Sequence, residues 1–167
     1  YGEVTAEDVK FSYERYAVLD SPYKDDWAAL DHVEVKDTYS GTIVLKEPFA
    51  PLLYSTLPVD RGCVLCKKYV EEVGNDNFAT NILGSGPYMF DSWEPEQKIT
   101  LKRNPDYFGE MPGFDEIHFF PIHDNKSAEV ALEAGELDCT VISHAAADRF
   151  RENPRFELIQ RPQLGYK

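Results

Sequence analysis

The chain has 167 residues, 43% hydrophobic and 13% aromatic, the length and composition of about one globular domain able to bury its own core. Its 30 acidic against 17 basic side chains give a formal net charge of −13, which repels phosphate backbones and argues against nucleic-acid binding as the main activity. No apolar run is long enough for a signal-peptide core or a membrane helix, and a chain that begins at Tyr1 without an initiator methionine is expected to be a piece of something longer.

Thr5-Ala6-Glu7-Asp8 reads as a helix start, with Thr5 as N-cap, acidic residues in the first turn, and Val4 and Val9 at staple spacing. Val9, Tyr13 and Tyr16 then form one apolar stripe. After a polar, aromatic loop through Ser21-Pro22-Tyr23, the alternating Val33-Glu34-Val35 and the run Thr42-Ile43-Val44-Leu45, joined by a turn around Ser40-Gly41, predict a hairpin. Pro51 suits the first turn of a short helix through Leu52, Leu53 and Tyr54. Cys66, Tyr69, Val70 and Val73 recur at helical spacing, with Gly74 placed as the cap and a loop expected from Asn75 to Leu83.

Gly84-Ser85-Gly86-Pro87-Tyr88 follows, a glycine pair that permits close backbone approach before a proline fixes the exit direction. Strands are expected over Tyr88–Phe90 and Lys98–Arg103, joined across Glu94-Pro95-Glu96-Gln97, with Ile99 and Leu101 on the buried face. Next come a polar turn at Asn104-Pro105-Asp106, a strand from Glu116 to Ile122, a helix from Asn125 to Ala134 closed by Gly135, and a strand from Leu137 to Ile142. The last three form a right-handed parallel β-α-β unit. A short helix over Ala145 to Glu152, stopped by Asn153-Pro154, and a strand from Phe156 to Gln160 complete the pattern. The expected class is α/β, a mixed sheet with hairpins and one parallel β-α-β unit.

The residues that could carry chemistry are few. Cys63, Cys66 and Cys139 make an odd count that describes no disulfide framework and leaves the redox compartment open. Cys63-Val64-Leu65-Cys66 opens a predicted helix, where the dipole and the neighbouring Lys67 and Lys68 favour a thiolate and dithiol exchange. Against that, Cys66 shares the apolar stripe, and free cysteines are commonly buried. A zinc site lacks a second ligand pair, and His118 and His123, five apart on a predicted strand, face opposite sides. Gly84-x-Gly86 fails the dinucleotide fingerprint because Met89 stands where the third glycine belongs and a strand follows. The acidic neighbours Glu71-Glu72 and Asp25-Asp26 diverge instead of flanking a bond, and no serine, histidine and aspartate arrangement is supported. No cofactor and no metal are therefore expected.

Four motifs in order resemble a known family: Thr5-Ala6-Glu7-Asp8-Val9-x-Phe11-Ser12, Gly84-Ser85-Gly86-Pro87-Tyr88-x-Phe90, Leu101-x-x-Asn104-Pro105-x-Tyr107-Phe108-Gly109, and Ala131-Leu132-x-Ala134-Gly135-Glu136-Leu137-Asp138. They look like family 5 of the bacterial extracellular solute-binding proteins, the dipeptide, oligopeptide and nickel-binding components of ABC importers. The resemblance implies a two-lobed periplasmic-binding-protein-like fold that closes on its ligand, residues 1–167 being a partial first lobe and 162–167 lying near the crossover to a second lobe. It implies capture of a solute, with peptide as the leading class, and no enzymatic step. The implied partners are permease and ATPase subunits, and the implied location is outside the cytoplasm, with lipid anchoring as one arrangement. Tyr23, in its Ser-Pro-Tyr context, resembles a cleft position, and Ser85 and Gly86 a cleft-edge turn. The sequence departs from the family at Cys63 to Cys66, where relatives more often show an apolar pair and a proline; a local disulfide and two reduced thiols are both open. Two rival functions remain at this stage, a thiol-disulfide oxidoreductase using Cys63 and Cys66, and a sensing or adhesion relative without transport.

Overall fold

The computed structural model describes residues 1–18 and 22–161, so Ser21 and the expected crossover 162–167 lie outside the described residues. The chain divides into two compact units, one of Tyr1–Trp93 with Thr100–His118, the other of Glu94–Ile99 with the described chain from Phe119 onward.

In the first unit, helix α1 (Ala6–Val18) begins where the acidic first turn predicts. Its start is closed from the N3 side: the Thr5 N–H and hydroxyl both donate to Asp8 Oδ2, at 2.8 and 2.9 Å, which is the reach-back half of a capping box. Tyr13 and Tyr16 form the core with Trp27, Leu30 and Val33, and Val9 packs against them. Trp27, 1% exposed, stacks on Tyr13 with ring centroids 4.4 Å apart. It contributes the largest single apolar burial in this cluster.

Strands β1 (Leu30–Asp37) and β2 (Ser40–Leu45) form the expected antiparallel hairpin. The turn sits at Thr38-Tyr39 instead of Ser40-Gly41, because the Asp37 carboxylate accepts from the Tyr39 N–H at 2.9 Å and the Ser40 hydroxyl at 2.6 Å and closes the chain earlier. Gly41 is then a strand residue. A Cβ there would stand 2.7 Å from the Glu34 carbonyl oxygen. The outer edge of β1 is satisfied by α1: the Val33 N–H donates to Glu14 at 2.9 Å, and Lys10 Nζ donates to the Val33 carbonyl at 2.8 Å. A helix covering an edge strand in this way removes a template for aggregation.

Leu52–Thr56 winds as one π turn after Pro51, with the Leu57 N–H donating to the Leu52 carbonyl at 2.9 Å. A 3-10 turn over Asp60–Gly62 follows. Helix α2 (Lys67–Val73) ends at Gly74, as expected, with φ of 79° and its N–H on the Val70 carbonyl. Cys66 is the residue before the helix and not a member of its stripe, of which Val70 is the buried centre. The expected loop from Asn75 starts as helix α3 (Asn75–Phe78), because Gly74 reverses the chain and its carbonyl accepts from the Phe78 N–H at 2.9 Å.

Strands β3 (Tyr88–Glu94), β4 (Lys98–Arg103) and β5 (Glu116–Phe119) form a sheet in the order β3-β4-β5. The facing of β4 is opposite to the expectation: Thr100 is 5% exposed and Ile99 36%. Thr100 hydrogen-bonds His118 across to β5, at 3.4 Å, so a polar cross-strand pair takes the inward position. β5 ends at Phe119, short of Ile122, where the backbone leaves the ladder.

In the second unit, helix α4 (Asn125–Ala134) has the expected bounds, capped by Asp124 on the Ser127 N–H and ended by Gly135 at φ 80°. A 3-10 turn (His144–Ala146) leads into α5 (Ala147–Arg151), which buries Phe150. Glu129 of α4, 4% exposed, accepts from the Ser143 N–H and hydroxyl and from Arg149, at 3.0, 2.8 and 3.0 Å. These bonds hold its carboxyl below the usual range. The expected strands Leu137–Ile142 and Phe156–Gln160 do not form, so the parallel β-α-β unit is absent among the described residues. An extended segment becomes a strand only when a neighbour supplies its ladder; among the described residues none does, and Val141 stays 83% exposed.

Two substitutions test this packing. Trp27→Ala is expected to cost about 3–5 kcal/mol in denaturant unfolding, by loss of transfer free energy and creation of a cavity. Gly62→Ala places a Cβ 2.1 Å from the Leu57 carbonyl oxygen and is expected to cost at least about 2 kcal/mol, whereas Gly84→Ala, with nothing within 4 Å of its Cβ, stays within about 0.5 kcal/mol of the parent.

Candidate ligand-binding surface

Tyr23 sits in the first unit between α1 and the 3-10 turn at Asp25–Trp27. Its ring packs edge-on against Tyr16, centroids 6.2 Å apart, and its hydroxyl donates to Asp60 Oδ2 at 2.7 Å. Arg61 lies over the same ring, its guanidinium carbon 5.6 Å from the centroid. Arg61 also pairs with Asp26 at 2.7 Å and with Asp60 at 3.5 Å, and its carbonyl accepts the Trp27 indole N–H at 3.0 Å. The buried Trp27 thus fixes the backbone from which Arg61 projects. Asp60 takes the tyrosine hydroxyl, Arg61 covers its ring and Asp26 pairs with Arg61, a net negative, charge-assisted group.

The hydrogen bond from Tyr23 holds the Asp60 carboxyl below its ordinary range, and the same bond, with the charge of Asp60, pushes the Tyr23 hydroxyl up. Neither Asp60 nor Arg61 was expected from the sequence. They stand 37 and 38 positions from Tyr23 and meet it only through tertiary packing of two irregular loops, which no periodicity marks.

Ser85 and Gly86 occupy a second place. Ser85 is exposed and Gly86 half-buried, and the turn is held by Asn104, 7% exposed, whose side-chain amide donates to the Gly86 carbonyl and whose N–H donates to the Pro87 carbonyl, both at 2.9 Å. Two of the sequence motifs therefore meet at Asn104. Neither Gly84 nor Gly86 has positive φ, and a Cβ at either meets no atom closer than 3.9 Å. Close approach, expected at this glycine pair, is required instead at Gly41 and Gly62. Among the described residues Tyr23 is bonded to Asp60 and Gly86 to Asn104.

A cavity of about 290 Å³ lies elsewhere, between the start of α1 and the hairpin, lined mainly by Val4, Val9, Val33, Tyr39 and Ile43. It contains none of the three sequence-indicated residues. Cys63 and Cys139 are exposed, Cys66 is half-buried, and all three are free thiols. Among the described residues no group of three or more His, Cys, Asp or Glu side chains is arranged to hold a metal ion, and no helix is long and apolar enough to cross a membrane.

The family described as bacterial extracellular solute-binding proteins, family 5 Middle, matches residues 2–167. The chain belongs to this family. Among its relatives, the probable D,D-dipeptide-binding periplasmic protein DdpA of Escherichia coli K12 is 32% identical over 139 residues, 81% of this chain and 27% of that protein. The fold is similar to that of MoaA from A. tumefacien R10, solved in complex with mannopinic acid, with a TM-score of 0.82 and 31% identity over 92% of this chain and 32% of that one. It is also similar to DppA from Helicobacter pylori, solved with the peptide STSA, at TM-score 0.76 and 26% identity over 92% of this chain and 33% of that one. The chain spans about a third or less of the length of these relatives. Its mixed α/β architecture is therefore part of one lobe of the two-lobed periplasmic-binding-protein fold.

The coupled Tyr23 and Asp60 shifts predict a specific pH response. Because the folded pKa of Asp60 is depressed, its contribution to stability is present above the unfolded value and is lost as pH falls through the folded one. Because that of Tyr23 is raised, its contribution is present below the unfolded value near about 10 and is lost as pH rises beyond it. Tyr23→Phe is expected to move the Asp60 carboxyl pKa upward, read by NMR titration of the Asp60 carboxyl carbon; an unmoved titration contradicts the assigned bond.

Proposed function

We propose that the full-length protein captures a small solute outside the cytoplasm, peptide being the leading class, and delivers it to the permease and ATPase subunits of an ABC importer without covalent chemistry. In this reading residues 1–167 supply part of the first lobe, with 162–167 near the crossover to the second. Tyr23 contacts the ligand, and Ser85 and Gly86 form an edge of the cleft. Attachment to the membrane by lipid is one arrangement compatible with this role.

The observation that carries the reading is the family match across residues 2–167, supported by relatives whose names include dipeptide binding and by a similar fold holding a peptide. The chemistry around Tyr23 favours peptide over an anionic solute. Its hydroxyl donates to Asp60, and Asp26 and Asp60 against the single Arg61 leave one net negative charge beside it. An ammonium or amide N–H suits such a site, whereas a carboxylate meets like charge.

Calorimetry on the full-length protein tests this directly. Short peptides with a free amino terminus are expected to bind, Tyr23→Ala to weaken them by at least about tenfold, and the 167-residue chain alone to bind far more weakly, since one wall leaves most of the ligand in water. Tight peptide binding by the isolated chain, or an affinity indifferent to Tyr23→Ala, contradicts the assignment.

A further inference from the structure

The segment from Cys63 to Cys66, between the 3-10 turn at Asp60–Gly62 and α2, crosses α1 without secondary structure of its own, and side chains of α1 take up backbone groups of this strap and of the residues on either side of it. Tyr13 donates to the Gly62 carbonyl at 3.3 Å and Tyr16 to the Cys63 carbonyl at 3.4 Å. The Leu65 N–H donates to Ser12 Oγ at 2.8 Å, and the Lys67 N–H to Asp8 Oδ1 at 2.9 Å. Ser12 is 0% and Asp8 9% exposed, so each of these acceptors lies where water does not replace a lost partner. Within this strap stand both Cys63 and Cys66.

The strap is extended. Cys63 has φ −61° and ψ 133°, Cys66 has φ −72° and ψ 104°, and no turn or bend intervenes between them. Three residues of extended chain span about 9–10 Å between Cα atoms, whereas a disulfide needs them within about 7 Å. Cys63 is exposed and Cys66 half-buried. Bringing the sulfurs together requires a turn at Val64-Leu65. Such a turn rotates the Leu65 and Lys67 amides away from Ser12 and Asp8.

We propose that the Cys63–Cys66 disulfide and the seated strap exclude one another, so that the pair is a redox-sensitive latch on α1. With a small-molecule disulfide such as oxidised glutathione as oxidant, one cysteine thiolate attacks its sulfur and releases one glutathione thiol. The second cysteine thiolate then displaces the other, forming the Cys63–Cys66 bond. The protein loses two electrons and two protons, and the reagent is reduced to two thiols. By linkage, the factor by which the disulfide disfavours the folded state is the factor by which folding disfavours the disulfide.

The test uses the full-length protein carrying Cys139→Ser and serine at any cysteine outside residues 1–167, so that Cys63 and Cys66 are the remaining thiols. It is oxidised in denaturant, refolded, and checked by mass spectrometry of the linking peptide. The oxidised form is expected to melt at least about 5 °C below the reduced form, with amide exchange at Leu65 and Lys67 faster by at least about tenfold. The glutathione ratio needed for half-oxidation is expected to be more oxidising for the native than for the denatured chain. Further Cys63→Ser or Cys66→Ser substitution abolishes all three differences, and failure of the oxidised form to refold while these variants refold counts for the proposal. An oxidised form with the disulfide in place, an unchanged melting temperature and intact protection at Leu65 and Lys67 overturns it.

Discussion

The first unit depends on how α1 satisfies a strap that has no ladder of its own. Backbone donors in irregular chain must find partners when water is excluded, and here the partners are Asp8 and Ser12, two polar residues buried on an otherwise apolar helix face. Burial pushes the Asp8 carboxyl up, yet the N–H groups of Lys67 and Thr5 and the Thr5 hydroxyl outweigh it and hold the group below its usual range. Hydrogen bonds to a charged acceptor of this kind contribute about 1.5–3 kcal/mol each. Since Asp60 and Arg61 stand just before the strap, the geometry around Tyr23 inherits its precision from these buried bonds. Trp27 completes the restraint from the opposite side, through its indole N–H on the Arg61 carbonyl.

The parts of this fold that could be read from the sequence are those whose determinants are local. Thr5 with its acidic turn, the alternation from Val33 to Leu45 and the closing Gly135 each carry their signal within a few residues, and α1, the β1-β2 hairpin and α4 follow them closely. Leu137–Ile142 has the composition of a strand, but pairing is a property of a neighbour, which composition does not supply. Thr100 takes the inward face of β4 because His118 lies opposite, a cross-strand partner 18 positions away. The Ser-Pro-Tyr context singles out Tyr23 only by resemblance, whereas Asp60 and Arg61 become its neighbours only when two loops pack together. Likewise, the glycine that closest packing demands is Gly62, which stands in no motif, and the conspicuous pair Gly84 and Gly86 is held by Asn104 without any steric need for glycine in this chain.

Family membership and the chemistry around Tyr23 enter the proposed function separately. Membership rests on a match along nearly the whole chain and on a fold shared with proteins that hold a peptide in one case and mannopinic acid in another. These two ligands show that the shared fold leaves solute chemistry to be decided by side chains. Around Tyr23 two carboxylates stand against one guanidinium, and the formal charge of −13 adds an unfavourable field for anions. On the proposed function, both favour a ligand that brings hydrogen-bond donors and positive charge.

The most direct measurement is native mass spectrometry of the full-length protein purified without denaturation, followed by release and sequencing of whatever it carries. The expected result is a bound population of short peptides with free amino termini, lost from the Tyr23→Ala protein. A single anionic sugar conjugate or a metal chelate retained equally by both proteins contradicts it.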